Sequence, residues 1–282
     1  MSQAKFNVRK VAVLGAGVMG AQIAAHLVNA KVQTVLFDLP AKEGDKSSIA
    51  LKAIANLKKL KPAPLAAADR ADYITPANYE EHLHLLKDCD LVIEAIAERM
   101  DWKADLYHKV APHLGENSIF ATNTSGLSIN TLAQACPDSL RPRFCGVHFF
   151  NPPRYMHLVE IIPCLTSDAG VLDNLERFLV TTLGKGVVRA KDTPNFVANR
   201  IGVFSMLATI ANAEKYGVRF DVVDDLTGPR LGRPKSATFR TADVVGLDTF
   251  AHVVKTMQDT LPEDPWHPLF KTPDWLARLI AD

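Results

Sequence analysis

Two ionisable residues stand inside apolar runs of this chain: His148 in FCGVHFF and Glu160 in MHLVEII, twelve positions later. A buried charge without a partner is expensive, so such groups are paired, neutral or at work. Histidine titrates nearest neutrality of the side chains, which suits a general base. A carboxylate on its other ring nitrogen would fix the tautomer and stabilise the imidazolium. Asn151-Pro152-Pro153 forces an extended turn between the two runs, so the pair can lie side by side. Two readings stay open: a core histidine satisfied by a carboxylate, or a proton acceptor for an alcohol. Ser125 in TNTSG and Asn199 in the stretch NFVANRIGVF are similarly out of place. Each could hydrogen-bond a substrate oxygen, and each could simply cap or bridge backbone.

A base that takes a hydroxyl proton needs an acceptor for the hydride, and the N-terminal segment offers one. VAVLGAGVMG opens with four strand-forming residues and continues with Gly15, Gly17 and Gly20 in the G-x-G-x-x-G pattern. Gly15 permits the tight turn, Gly17 lets the backbone approach a pyrophosphate, and Gly20 lets the following helix pack closely. The helix start presents free N–H groups and a positive dipole end to phosphates. The next strand-like run, VQTVLFD, ends at Asp38, eighteen residues after Gly20. A carboxylate there accepts from a ribose 2′-hydroxyl and repels a 2′-phosphate, which favours NAD over NADP.

These residues need a frame. Strand-like runs recur at 90–96, 118–123, 144–150, 156–162 and 186–190, with helical patterns between them, including one near 102–113 and one near 169–182. That alternation predicts an α/β fold, a Rossmann-type doubly wound and mostly parallel sheet over residues 1–190. Within it, 41–72 reads as a helical insertion: one helix carrying Ile49, Ala53, Ile54 and Leu57, broken at Pro62 and Pro64, then a second short helix. Lys58, Lys59 and Lys61 cluster at its tip, as a solvated helix end or a seat for nucleotide phosphates. After KDTPNF the strand pattern stops. Thr193 is the expected N-cap and Pro194 the first-turn residue of a long helix with Phe196, Val203, Leu207 and Ile210 on its apolar side. Residues 191–282 therefore read as a smaller all-α domain.

Composition narrows the partners. Thirty-two basic and thirty-one acidic residues leave a formal charge of +1, without the basic field of a nucleic-acid protein. Gln22, His26 and the glycines spoil the N-terminal apolar stretch as a signal or a membrane span. The four cysteines, Cys89, Cys136, Cys145 and Cys164, lack the spacing of a metal knuckle or a redox pair. They read as buried free thiols of a cytoplasmic protein.

Taken in order, the motifs resemble the L-3-hydroxyacyl-CoA dehydrogenases of fatty-acid β-oxidation. LGAGVMGAQIA is similar to that family's nucleotide fingerprint, and IEAIAERMDWK to its E-A-x-x-E-x-x-x-x-K segment. ATNTSGLSI resembles S-N-T-S-S-L-x-I, and GVHFFNPPRYMHLVEII resembles G-x-H-F-F-N-P-x-x-x-M-x-L-V-E-x-I. KDTPNFVANR resembles K-D-x-P-G-F-x-x-N-R, and VVGLDT has a counterpart late in the second domain. The resemblance implies reversible oxidation of an (S)-3-hydroxyacyl-CoA by NAD. It makes His148 the general base, Glu160 its partner, and Ser125 and Asn199 contacts to the reacting hydroxyl and its neighbours. The implied cofactor contacts are Gly15, Gly17, Val18, Met19, Gly20, Asp38, Ala95, Glu98, Lys103 and Asn123, the last three on the nicotinamide side. CoA phosphates are expected near Lys58, Lys59 and Lys61, with Arg233 and its basic neighbours as a further candidate against a solvated loop. A homodimer through the C-terminal helices and association with an enoyl-CoA hydratase unit, covalent or not, are also implied.

The sequence departs from the family at four places. Gly126 and Thr122 replace serines of the S-N-T-S-S motif, and Arg154 and Tyr155 occupy a turn that is usually more apolar. The segment 228–248 is longer and more basic than usual. The chain stops at Asp282, short of the family's usual tail, so a fragment of a longer polypeptide is expected. Two rival readings compete with the enzyme assignment. A related 3-hydroxyacid dehydrogenase without CoA would use a lysine base, against His148–Glu160. A non-catalytic NAD-binding fragment would keep the glycine turn and lose turnover.

Overall fold

The computed structural model describes residues 7–281, which divide into two compact units between Asp192 and Thr193. The first is built on an eight-stranded sheet. Along the chain it runs β1 (Lys10–Leu14), α1 (Val18–Asn29), β2 (Gln33–Asp38), α2 (Ser48–Leu57), β3 (Ile74–Asn78), β4 (Leu91–Glu94) and α3 (Met100–Val110). It continues with β5 (Ile119–Thr122), α4 (Ile129–Gln134), β6 (Phe144–Phe149), β7 (Leu158–Pro163), α5 (Ala169–Thr181) and β8 (Gly186–Arg189). The strand order is β3-β2-β1-β4-β5-β6-β7-β8, and every pairing is parallel except β6 with β7. The sheet is thus the doubly wound, mostly parallel one that the alternation predicts.

The central strands are buried on both faces. β1, β4, β5 and β6 are predominantly apolar with scarcely an accessible residue, as a sheet covered by helices requires. The order reverses where β1 lies between β2 and β4, and a ligand crevice belongs at the carboxyl ends of the strands there.

Two expectations needed correction in this unit. The second short helix of the 41–72 region is a 3₁₀ turn, Ala68–Tyr73, and β3 follows it where no strand was expected. The sequence ITPAN hides this strand because Pro76 cannot donate to a ladder; β3 tolerates it as the edge strand. On α2 the buried face is Ala50, Ile54 and Leu57, and Ile49 is exposed.

The second unit consists of α6 (Ala198–Lys215), α7 (Phe220–Thr227), α8 (Phe239–Val245), α9 (Leu247–Thr260) and α10 (Asp274–Ala281), with no strand among the described residues. Val203, Leu207 and Ile210 of α6 pack with Phe250, Val254 and Met257 of α9, Phe270 and Leu276. Each such side chain contributes roughly 1.5–3 kcal/mol on burial, so α6 and α9 form the spine of this unit.

The start of α6 also differs from expectation. Thr193 does not cap it; the helix begins at Ala198. Asn195 and Phe196 have φ of 59° and 51°, left-handed values that no helix continues through. Asparagine is among the few residues that tolerate that region, and it stands where the family motif quoted above has glycine. Asn199 consequently lies in the first turn of α6 rather than in its interior, where its poor helix propensity costs less.

Candidate active site

The register of β6 and β7 sets His148 directly opposite Glu160. Residues opposite one another in an antiparallel pair share a face, so the side chains meet. His148 Nδ1 lies 2.8 Å from a Glu160 carboxylate oxygen, with the histidine 3% exposed and the glutamate fully buried. An ionised carboxylate only accepts, so Nδ1 carries the hydrogen and Nε2 is left with a lone pair. Nε2 sits 3.1 Å from Ser125 Oγ, and the imidazole packs against the Phe150 ring. Three of the four expected catalytic residues thus form one chain, Ser125–His148–Glu160, at the carboxyl ends of β5 and β6. The fourth, Asn199, belongs to the other unit.

The loop that carries Ser125 is held from the β4 side. Glu98 accepts from the Thr124 hydroxyl at 2.7 Å and from the Ser125 N–H, while Thr124 Oγ1 accepts from Leu127 N–H at 3.1 Å. Asn123 lends its side-chain carbonyl to the Phe149 N–H at 2.9 Å, tying the ends of β5 and β6 together.

Lys103 is placed differently from a cavity-lining residue. It is 1% exposed, and its ammonium donates to Glu94 Oε1 at 2.6 Å. That oxygen also accepts from the Ile96 N–H; the other, Oε2, accepts from the Tyr107 and Thr122 hydroxyls, each at 2.8 Å. A carboxylate with four donors is fully satisfied in the core. Burial, then the adjacent Glu94 charge, pushes the Tyr107 phenol well above its ordinary value, so it stays a donor. Sequence reasoning gave Glu94, Tyr107 and Thr122 no role in the site. The signal was present: Glu94 is a charge ending the apolar run LVIE, the pattern that picked out His148.

The glycine turn borders a cavity of ≈ 500 Å³ whose walls include Gly15, Gly17, Asp38, Ala95, Trp102 and Lys109. Gly15 has φ of 103°, open only to glycine in practice, and a Cβ on Gly20 would lie 1.8 Å from the Gly15 carbonyl oxygen. On Gly17 a Cβ would meet no protein atom within 4 Å, so the fold itself does not require glycine there. The absent side chain leaves room for a ligand to approach the backbone there. Val18 and Met19 follow in the first turn of α1, Val18 largely exposed. The Asp38 carboxylate accepts from Ala16 N–H at 2.6 Å and Leu39 N–H at 2.7 Å, which leaves it lone pairs for a ribose. These residues fit a dinucleotide: glycine backbone for the pyrophosphate, a helix N-terminus above it and an acid at the ribose position.

A second set of contacts fixes the turn after β6. Gln22 of α1 donates to the Asn151 side chain at 3.1 Å, and the buried Lys185 donates to the carbonyls of Pro153 and Met156. Burial lowers the Lys185 ammonium to about 8. His26, one turn beyond Gln22, has both ring nitrogens buried without a partner. Burial first, then the Lys185 and Arg154 charges, pushes it down to about 4.

The candidate CoA residues are exposed. Lys58, Lys59 and Lys61 stand at the end of α2, Lys58 paired with Asp72 at 3.1 Å. Arg233 lies between α7 and α8 beside Arg230, which pairs with Asp225 at 2.9 Å. All four cysteines are buried and unpaired; burial raises Cys89, Cys136 and Cys145 to about 12. No helix among the described residues is long and apolar enough to cross a membrane.

Comparison with known families decides what this arrangement belongs to. Residues 10–193 match the model of the 3-hydroxyacyl-CoA dehydrogenase NAD-binding domain, and 196–281 that family's C-terminal domain. The chain belongs to the 3-hydroxyacyl-CoA dehydrogenase family. A probable 3-hydroxyacyl-CoA dehydrogenase of Bacillus subtilis is 44% identical over 97% of this chain, which spans 36% of that protein. One from Deinococcus radiodurans is 45% identical over 92% of this chain and 75% of its own length. The crystal structure of Mycobacterium tuberculosis FadB2 superposes with a TM-score of 0.79 at 29% identity, covering 97% of this chain and 94% of that one. Within the family's NAD-binding domain, the glycine cradle and Asp38 are the features of this chain that suit the dinucleotide, and the Ser125–His148–Glu160 chain lies at the same edge of the sheet.

Proposed function

We propose that the chain oxidises (S)-3-hydroxyacyl-CoA thioesters to 3-ketoacyl-CoA, reversibly and with NAD. The observation that carries this reading is the hydrogen-bonded chain Ser125–His148–Glu160 at the strand ends beside a dinucleotide cradle. His148 Nε2 takes the proton of the C3 hydroxyl. Glu160, fixed at Nδ1, holds the tautomer in which the Nε2 lone pair does the accepting, and stabilises the imidazolium that results. An oxygen in hydrogen-bond reach of Nε2 also lies beside the Ser125 hydroxyl, which orients it. Bound NAD supplies the acceptor for the C3 hydride. Glu98 and Asn123 keep the Ser125 loop and the β5–β6 edge in register, and Lys103 acts through Glu94 beneath them.

Asn199 is assigned a contact to the substrate on the family motif alone. Lys58, Lys59 and Lys61 are the groups offered to the CoA phosphates, supported by their exposure and charge; Arg233 is the second candidate. Histidine rather than lysine as the base speaks against a CoA-independent 3-hydroxyacid dehydrogenase.

The test follows NADH absorbance with acetoacetyl-CoA for the wild type and His148→Ala, with NADH affinity measured in both. Turnover by the wild type and a loss of roughly a hundredfold or more in the variant, at unchanged NADH affinity, is expected. A wild type that binds NADH but reduces no 3-ketoacyl-CoA of any chain length would leave only a cofactor-binding module.

A further inference from the structure

Residues 62–66, between the lysine-bearing end of α2 and the 3₁₀ turn, form a strap without regular structure. Side chains hold its backbone. Asn29 donates to the Pro64 carbonyl and accepts from the Ala66 N–H, both at 2.8 Å. Arg154 Nη1 donates to the carbonyls of Ala63 at 2.8 Å and Leu65 at 2.7 Å. The Tyr155 hydroxyl donates to the Ala63 carbonyl at 2.9 Å, and the guanidinium lies 5.4 Å from the Tyr155 ring centre. These two residues are where the chain departs from the family's more apolar turn.

Hydrogen bonds hold the turn itself. Tyr155 N–H and Met156 N–H both donate to the Pro152 carbonyl at 3.0 Å, and Lys185 grips it from below. Arg154 Nη1 donates to two neutral carbonyls of the strap, and the guanidinium makes no ion pair among the described residues. Hydrogen bonds thus join the turn that follows His148 and β6 to the strap, and the strap continues the chain from the basic tip of α2.

We propose that Arg154, assisted by Tyr155, is a positioning residue for CoA recognition. It fixes Lys58, Lys59 and Lys61 at a set distance from His148, so that the phosphate-bearing end of a thioester is held while its acyl end is in register with the base. A holder fixed in advance saves the ordering cost that a loose loop carries on binding. The proposal rests on the 3-hydroxyacyl-CoA reading above.

The experiment compares two substrates, acetoacetyl-CoA and the acetoacetyl thioester of N-acetylcysteamine, which lacks the nucleotide. Wild type, Arg154→Leu, Arg154→Lys and Tyr155→Phe are assayed with NADH, and thermal midpoints are recorded. Arg154→Leu raises KM for acetoacetyl-CoA roughly tenfold, leaves kcat within about twofold and does not change KM for the short thioester. Arg154→Lys, which keeps one donor on a carbonyl, falls between, and Tyr155→Phe shows a smaller rise. Equal effects on both substrates, or none on acetoacetyl-CoA, overturn the proposal while wild-type preference for CoA keeps the underlying reading. A wild type that does not distinguish the two thioesters removes the reading and the proposal together. Should Arg154→Leu fail to fold, Arg154→Lys and Tyr155→Phe decide by the same KM criterion.

Discussion

Replacing Glu160 by glutamine changes one atom type at a fully buried position. The carboxylate is fully buried and lies 2.8 Å from Nδ1 of a histidine that is itself 3% exposed. Two losses follow. A hydrogen bond to a charged acceptor is stronger by ~1–1.5 kcal/mol than one to a neutral acceptor, and this part is lost from the imidazolium. The amide can also turn its NH₂ toward the ring, which places the ring hydrogen on Nε2 and removes the lone pair the substrate needs. The first loss alone costs about tenfold in kcat, and the inverted tautomer brings the total to between ~10² and ~10⁴. Stopped-flow reduction of acetoacetyl-CoA by NADH measures this, with NADH titration as a control. The cofactor cradle is built from β1, α1 and β2, so NADH affinity stays within about twofold, since no contact of that cradle is lost. If Glu160→Gln kept kcat within about threefold of wild type, the pair would be structural and His148 would not be the proton acceptor.

The glycine turn separates two requirements: Gly17→Ala leaves the thermal midpoint within ~2 °C and abolishes NADH binding, whereas Gly20→Ala also lowers the midpoint, because its Cβ would sit 1.8 Å from the Gly15 carbonyl. A Gly17→Ala protein that binds NADH normally would rule out the pyrophosphate cradle. Glu94→Gln removes the buried carboxylate hydrogen-bonded to the Lys103 ammonium, leaving Glu98 at 3.9 Å, and costs ~3–5 kcal/mol in urea unfolding, most of it recovered by adding Lys103→Met. His26 gives the fold an acid limb: its folded value of about 4 lies below the ordinary 6.5, so between those pH values only the unfolded chain binds the proton. Stability is therefore retained above that window and lost as pH falls through it, by about 2–3 kcal/mol at the lower end. Urea unfolding of His26→Leu at pH 7 and pH 4.5 should show this part of the acid loss gone; equal losses in wild type and variant would contradict it.

The parts of the site legible in the sequence are those whose logic is local or violates a pattern. The glycine turn declares itself because Gly15, Gly17 and Gly20 fall in one recognisable pattern within six residues, two of them on backbone demands of the fold. His148 and Glu160 show because each breaks an apolar run, and a short turn with two prolines makes their meeting predictable. Glu94 breaks a run in the same way, yet its partners Lys103, Tyr107 and Thr122 come from α3 and β5, and only folding brings them to it. β3 was illegible for the opposite reason: an edge strand tolerates the proline and polar residues that mark a loop, because half of its ladder faces no partner. The start of α6 misled because Thr193-Pro194 is a sound local cap signal, and backbone two residues later overrules it.

The least legible feature is the set of contacts around the turn after β6. Gln22, His26 and Asn29 follow one face of α1, but that helix is buried on several sides, and its apolar pattern does not reveal which face meets polar groups. Gln22 reaches Asn151 across 129 residues, Asn29 reaches the strap across about thirty-five, and Arg154 reaches the same strap from about ninety residues away. Contacts of that separation cost chain entropy that only a formed sheet can offset, so they are consequences of the fold rather than causes of it. That is also why they are suited to tuning. The sheet would survive the loss of Arg154, while the basic tip of α2 would lose its fixed reach from His148; a residue free to vary without unfolding the protein is one that can set which thioester it prefers.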